Sequence, residues 1–209
     1  MKEVSTSFLK EGNYEEYINK LNNSNTDYIH FDVMDGLFVE NKNLSFKELE
    51  KYIKLSKKKN DIHLMVKDPS NYIKILSKYN ISYITIHKEI ENYKSMISLI
   101  KNYGIKVGIA INPETSVESL LKDLDNIDLI LVMGVHPGRS GQKYVKESSL
   151  KINELNSIRK ERKLNFKIGI DGGICKDVLK YVCNADIIVS ASFILDDLEN
   201  INRIKQLKN

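Results

Sequence analysis

The chain has 209 residues, 42% of them hydrophobic and 29% charged, with a formal net charge of +4. That length suits one domain, residues 1–209, with a core large enough to fold without a disulfide or metal staple. Charges of both signs spread among abundant Ile, Leu and Val argue against disorder, and so mild a charge argues against a nucleic-acid surface.

Taken in chain order, short apolar runs rich in β-branched residues predict strands at Val4–Leu9, Asp27–Met34, Asp61–Val66, Tyr83–His87, Lys106–Ile111, Asp128–Val135, Phe166–Asp171 and Ile187–Ser190. Each is followed by residues at helical spacing, such as Tyr14, Tyr17, Ile18 and Leu21, or Met96, Ile97, Leu99 and Ile100. Ser45 with Glu48 reads as a capping box, and Ser116 as the start of another helical segment. The strand runs are nearly continuous in apolar character, as strands covered on both faces are. Eight even repeats without a linker predict a (β/α)8 TIM barrel rather than an open doubly wound sheet.

Lys57–Lys59 reads as a solvated helix end. The longest apolar run, Ile127–Val135, is interrupted by Asp128 and Gly134 and falls far short of the roughly 20 residues of a membrane span. The first residues carry no apolar stretch of signal-peptide type. Cys175 and Cys183 form no CxxC pair and read as free thiols. A cytoplasmic location, with no membrane partner, is the expectation.

A barrel of this kind presents its reactive groups at the C-terminal ends of its strands. All four histidines, His30, His63, His87 and His136, fall there. His30 and Asp32 stand i, i+2 on one strand, so both face the interior. An inward carboxylate is costly unless paired or bound to a metal. With His63 and Asp171 at equivalent strand ends, the four predict a site for one divalent metal ion. Gly-rich turns at Gly138-Arg139-Ser140-Gly141 and Gly172-Gly173, with Ser190-Ala191-Ser192, predict an anion cradle for a phosphate. Met34, Met65 and Met133 lie near this site, where methionine ordinarily serves as core filler. His87 reads as a satisfied core histidine, or His87 and Glu89 as groups standing behind the metal or lining the substrate site.

These residues resemble the ribulose-phosphate 3-epimerase family. The likeness runs through His30-Phe-Asp-Val-Met-Asp-Gly36 with Phe38, Val39 and Asn41, through Asp61-Ile-His-Leu-Met-Val66 with Pro69, and through Gly108-Ile-Ala-Ile-Asn-Pro113. It continues through Leu131-Val-Met133, Pro137-Gly138, Gly141-Gln142-Lys143 and Asp171-Gly-Gly-Ile174. The resemblance implies a ribulose-phosphate-binding barrel that inverts carbon 3 of a phosphorylated ketose. It implies a zinc, iron, manganese or cobalt ion on His30, Asp32, His63 and Asp171, with Asp32 and Asp171 as the acid/base pair. It also implies substrate contacts from Ser5, His63 and the three methionines, and from the phosphate turns at Gly138–Gly141, Gly172, Gly173, Ala191 and Ser192. It implies a homo-oligomer.

Several positions depart from the family pattern. Arg139 stands where an aromatic residue is usual, Glu40 where Pro is, Ala191 where Gly is, and Gly134 where a small hydroxyl residue is. Ser7 and Lys10 depart from the N-terminal motif. Arg139 and Ala191 bear on substrate length. A hexulose-phosphate 3-epimerase of the allulose 6-phosphate type is therefore the alternative, and a non-catalytic sugar-phosphate-binding protein a more distant one.

Overall fold

The computed structural model describes residues 1–197 and 202–208. Eight parallel strands close into a barrel in sequence order: β1 (Glu3–Ser7), β2 (Tyr28–Met34), β3 (Lys59–Met65), β4 (Ile81–His87), β5 (Lys106–Ile111), β6 (Leu129–Met133), β7 (Lys167–Asp171) and β8 (Ile187–Ser190). Pairing of β1 with β8 completes the ring, with Ser5 opposite Val189. Every predicted strand is present, and the architecture is the (β/α)8 barrel.

The helices are α1 (Tyr14–Asn22), α2 (Phe46–Leu55), α3 (Ser70–Leu76), α4 (Tyr93–Asn102), α5 (Ser148–Glu161), α6 (Ser192–Leu195) and α7 (Asn202–Lys208). Side-chain caps set the starts of α1 and α2. The Asn13 side chain accepts from the backbone N–H of Glu15 and Glu16 ahead of α1. Ser45 and Glu48 form the reciprocal capping box at α2. The repeat is less regular than the sequence suggests. Between β5 and β6 the chain makes 3₁₀ turns at Val117–Leu120 and Leu124–Asn126, and Ser116 caps nothing with its side chain. Between β7 and β8 it makes a 3₁₀ segment at Lys176–Tyr181. Connections 112–128 and 172–186 are comparable in length to 66–80, which holds α3, so length by itself does not select the 3₁₀ geometry.

Strand parity separates two kinds of interior. Residues pointing outward, such as Ile29, Phe31, Ile62, Leu64, Ile84 and Ile109, join helix residues such as Ile18, Leu49, Ile73 and Ile100 in one large core. Residues pointing inward build layers inside the barrel. Tyr28, Tyr83, Leu129 and Ile187 fill the lower layer, and Ala110, Leu131, Met133 and Val189 pack above them. The inward wall of β1–β4 differs in kind: Ser5, Ser7, His30, Asp32, Asp61, His63, Thr85 and His87 are all buried there. So much buried polarity must be paired or liganded. That requirement locates the site.

Candidate active site and metal centre

His30, Asp32, His63 and Asp171 converge at the C-terminal mouth of the barrel, each offering one donor atom, all within 4.8 Å of one another. Asp32 Oδ1 lies 3.4 Å from His30 Nε2 and 3.3 Å from His63 Nδ1. Asp171 Oδ2 lies 3.5 Å from His63 Nδ1 and 3.9 Å from His30 Nε2. A tetrahedral ion with bonds of about 2.0–2.1 Å needs donors separated by about 3.3–3.4 Å. His30 Nε2 and His63 Nδ1 are buried without a hydrogen-bond partner. These two orphaned nitrogens, aimed at two carboxylate oxygens, fit a divalent cation, and the mixed N/O donor set suits zinc or a neighbouring transition metal.

Each donor is held from behind. His30 Nδ1 pairs with Asp61 Oδ2 at 2.8 Å, and the same oxygen accepts from Ser5 Oγ at 2.8 Å. His63 Nε2 meets His87 Nε2 at 2.8 Å, and His87 Nδ1 meets Glu89 Oε2 at 3.1 Å. Ser7 Oγ donates to Asp32 Oδ2 at 2.6 Å. The Asn43 side chain donates to Asp32 O and accepts from Met34 N, which fixes the end of β2. Without a cation the charges of the cluster perturb Asp32, His30 and His63. Burial opposes charge on Asp32, but the His30 and His63 imidazoles outweigh it and hold the carboxyl far below its usual range. Burial likewise opposes charge on His30, where Asp61 and Asp32 prevail and raise the imidazole well above 6.5. His63 rises for the same reason, through Asp171 and Asp32. His87 is pushed down to about 4, chiefly by burial, and is neutral. Burial opposes charge on Glu89 too, but hydrogen bonds from His87, Thr115 and Asn112 hold it at about 2.

Above these donors opens a cavity of about 240 Å³. Asp32, Asp171, Met65, Met133, Gly138–Gly141, Gly172, Gly173, Ala191 and Ser192 line it, so most residues expected at the substrate site come together. Gly172 and Gly173 sit at φ of +106° and +68°, and a Cβ on Gly173 would meet the backbone N of Tyr144 at 2.6 Å. Glycine is needed where these two turns pack backbone against backbone. The β6–α5 loop is braced by Gln142, whose side-chain amide donates to His136 O and Arg139 O. It is tied to the β2–α2 loop by Asn41 Nδ2 on Gly138 O and by the exposed Arg139–Glu40 ion pair at 2.8 Å.

Some expected residues stand elsewhere. Ser5 is fully buried one layer below the mouth, engaged with Asp61, and is no part of the cavity wall. Ser7, read from sequence as a departure, is the serine that opens onto the cavity and touches Asp32. The two share a face of β1, and Ser7 lies level with His30 in the barrel register. Met34 is buried beside Met65 in the strand register but does not line the cavity. His63 is fully buried beneath the wall, among the four clustered donor residues. His136 is exposed in the loop and pairs with Glu114. Sequence reasoning does not single out Asp61; its place two residues before His63 on β3 is the signal that turns it inward, where it meets His30 and Ser5.

The family model described as the ribulose-phosphate 3 epimerase family matches residues 3–195. The chain belongs to the ribulose-phosphate 3-epimerase family. It is 35% identical over 192 residues to the ribulose-phosphate 3-epimerase of Helicobacter pylori, covering 89% of this chain and 87% of the relative. It is 31% identical over 209 residues to that of Bacillus subtilis, covering 98% and 95%. Among solved structures, N-(5'-phosphoribosyl)anthranilate isomerase from Pyrococcus furiosus superposes with a TM-score of 0.68 over 100% of both chains at 15% identity, a likeness of fold. The protein is thus an enzyme of an epimerase family. Among the described residues, no helix is long and apolar enough to cross a membrane.

Proposed function

We propose that this enzyme interconverts D-ribulose 5-phosphate and D-xylulose 5-phosphate by two-base proton transfer at carbon 3. The observation that carries the reading is the pair Asp32 and Asp171. They come from β2 and β7, both line the cavity, and both place an oxygen in the four-donor cluster. Inverting a carbon next to a carbonyl requires one group to remove its proton and a second to return one on the opposite face of a planar enediolate. Asp32 takes the proton and Asp171 returns one, with the roles exchanged in the reverse direction. Ser7 holds Asp32 Oδ2 and so orients the carboxylate.

His30, Asp32, His63 and Asp171 would hold the divalent ion, zinc, iron, manganese or cobalt, which when bound supplies Lewis-acid stabilisation of the charge that develops on the substrate oxygens. The turns at Gly138–Gly141 and Gly172–Gly173, with Ala191 and Ser192, receive the phosphate through backbone N–H groups. Met65 and Met133 give the sugar an apolar floor. Arg139, at the rim beside Glu40, is where a longer hexulose phosphate would be admitted or refused.

The test is carbon-3 deuteration and epimer formation in D2O, followed by proton NMR, with the metal-loaded enzyme and either D-ribulose 5-phosphate or D-allulose 6-phosphate. Fast epimerisation of the pentulose and loss of exchange in Asp32→Asn and Asp171→Asn are expected. Full activity in either variant overturns the two-base assignment. Preference for the hexulose makes the Arg139 rim the specificity element.

A further inference from the structure

The buried chain of groups behind His63 has a direction, and the direction decides whether His63 can bind a cation at all. His63 Nδ1 faces Asp32 and Asp171, while its Nε2 lies 2.8 Å from His87 Nε2. Two imidazole nitrogens at that distance share a single proton, so one donates and the other accepts. His87 is fully buried, with Phe38 packed against its ring at 4.6 Å between centroids, and its other nitrogen meets Glu89 Oε2. Glu89 has no freedom of its own. Its Oε1 accepts from the backbone N–H of Asn112 at 2.9 Å and from the Thr115 hydroxyl.

We infer that Glu89, acting through His87, is a positioning residue that sets the tautomer of His63 and thereby leaves the His63 Nδ1 lone pair free for the cation. An ionised carboxylate can only accept a hydrogen bond. His87 must therefore carry its proton on Nδ1 and accept at Nε2. His63 must then carry its proton on Nε2, and Nδ1 is left bare. The arrangement extends the familiar carboxylate–histidine support of a metal ligand by one imidazole. It parallels the direct Asp61–His30 contact on the other side of the site. The inference rests on the metal centre proposed above.

Glu89→Gln reverses the direction at almost constant volume. An amide has one accepting oxygen where the carboxylate has two. The Asn112 N–H can only donate and claims that oxygen, which turns the amide NH2 toward His87. His87 must then accept at Nδ1 and donate from Nε2, and His63 is left with its proton on Nδ1, where the cation belongs. Two measurements test this. The first is two-bond 1H–15N NMR of histidine-labelled, zinc-loaded wild-type protein, which needs no variant. Protons on His63 Nε2 and His87 Nδ1 are expected, and a proton on His87 Nε2 overturns the inference. The second is zinc affinity by competition with a chromophoric chelator. A loss of about 10–100-fold is expected in Glu89→Gln. A purely structural role would lower the unfolding temperature and leave zinc affinity alone. An affinity within twofold of wild type overturns the relay while the metal centre stands. A wild-type protein that binds no zinc overturns both.

Discussion

Asp61→Asn isolates the charge behind His30 from the shape of the contact. Asp61 is 2% exposed and makes both of its side-chain hydrogen bonds, from Ser5 Oγ and His30 Nδ1, through the single oxygen Oδ2. Its Oδ1 is buried without a partner. The substituted amide keeps both bonds by placing its carbonyl oxygen where Oδ2 stands, at the cost of a buried, unpaired NH2, about 1–3 kcal/mol of stability. What it cannot keep is the negative charge. A hydrogen bond to a carboxylate is roughly twice as strong as one to a neutral acceptor, so His30 Nε2 becomes a poorer donor to a cation. Losing such support typically costs about 10–100-fold in metal affinity, or about 1.4–2.8 kcal/mol.

The pH dependence carries a sign that sharpens the test. In the metal-free protein His30 is raised well above 6.5 against the pull of burial, with Asp61 the leading cause of the rise. Protons therefore compete with zinc more strongly in wild type than in Asp61→Asn. The affinity gap should be widest at alkaline pH and shrink on acidification. Stability runs the other way. A raised folded-state pKa contributes stability that is fully present below about 6.5 and is lost as pH rises through the folded value. The metal-free variant should thus be destabilised more at about pH 6 than at about pH 9. Chelator competition for zinc and guanidinium unfolding at the two pH values measure both effects. Zinc affinity within twofold of wild type at alkaline pH would refute the reasoning.

Three further perturbations follow from the geometry. Gly172→Ala puts a Cβ 2.3 Å from Val135 Cγ2 at a φ of +106°; strain and overlap of about 1–3 kcal/mol each should appear in urea unfolding, with weaker phosphate binding seen as a raised KM. Ser7→Ala should lower kcat by freeing Asp32 Oδ2, whereas Ser5→Ala should act on stability and zinc affinity through Asp61; the reverse pattern in steady-state kinetics would restore Ser5 to the substrate site. Glu40→Gln breaks an ion pair whose side chains are 85% and 66% exposed, so the unfolding free energy should move by less than about 1 kcal/mol, and any change should be confined to kcat/KM and its salt dependence.

Much of this protein was legible from one dimension. Period-two alternation decided that His30 and Asp32 face the same way, and the barrel decided that this way is inward. Buried charge then demanded a partner, and His63 and Asp171 at matching strand ends were the partners available. The Gly-rich turns fell where the cavity is. Three things were decided only in three dimensions. Which serine opens onto the cavity depends on the stagger between strands: Ser5 and Ser7 are alike in parity, and the pairing of Ser7 with His30 sets Ser7 at the mouth. Whether a connection coils as an α-helix or a tighter 3₁₀ turn is not set by its length, since 66–80 holds an α-helix in no more residues than the segments after β5 and β7, which hold 3₁₀ turns. The chain from Asn112 and Thr115 through Glu89 and His87 to His63 joins residues far apart in sequence. Local patterning sets the direction a side chain faces, but the group it meets is set by the packing of neighbouring strands and loops.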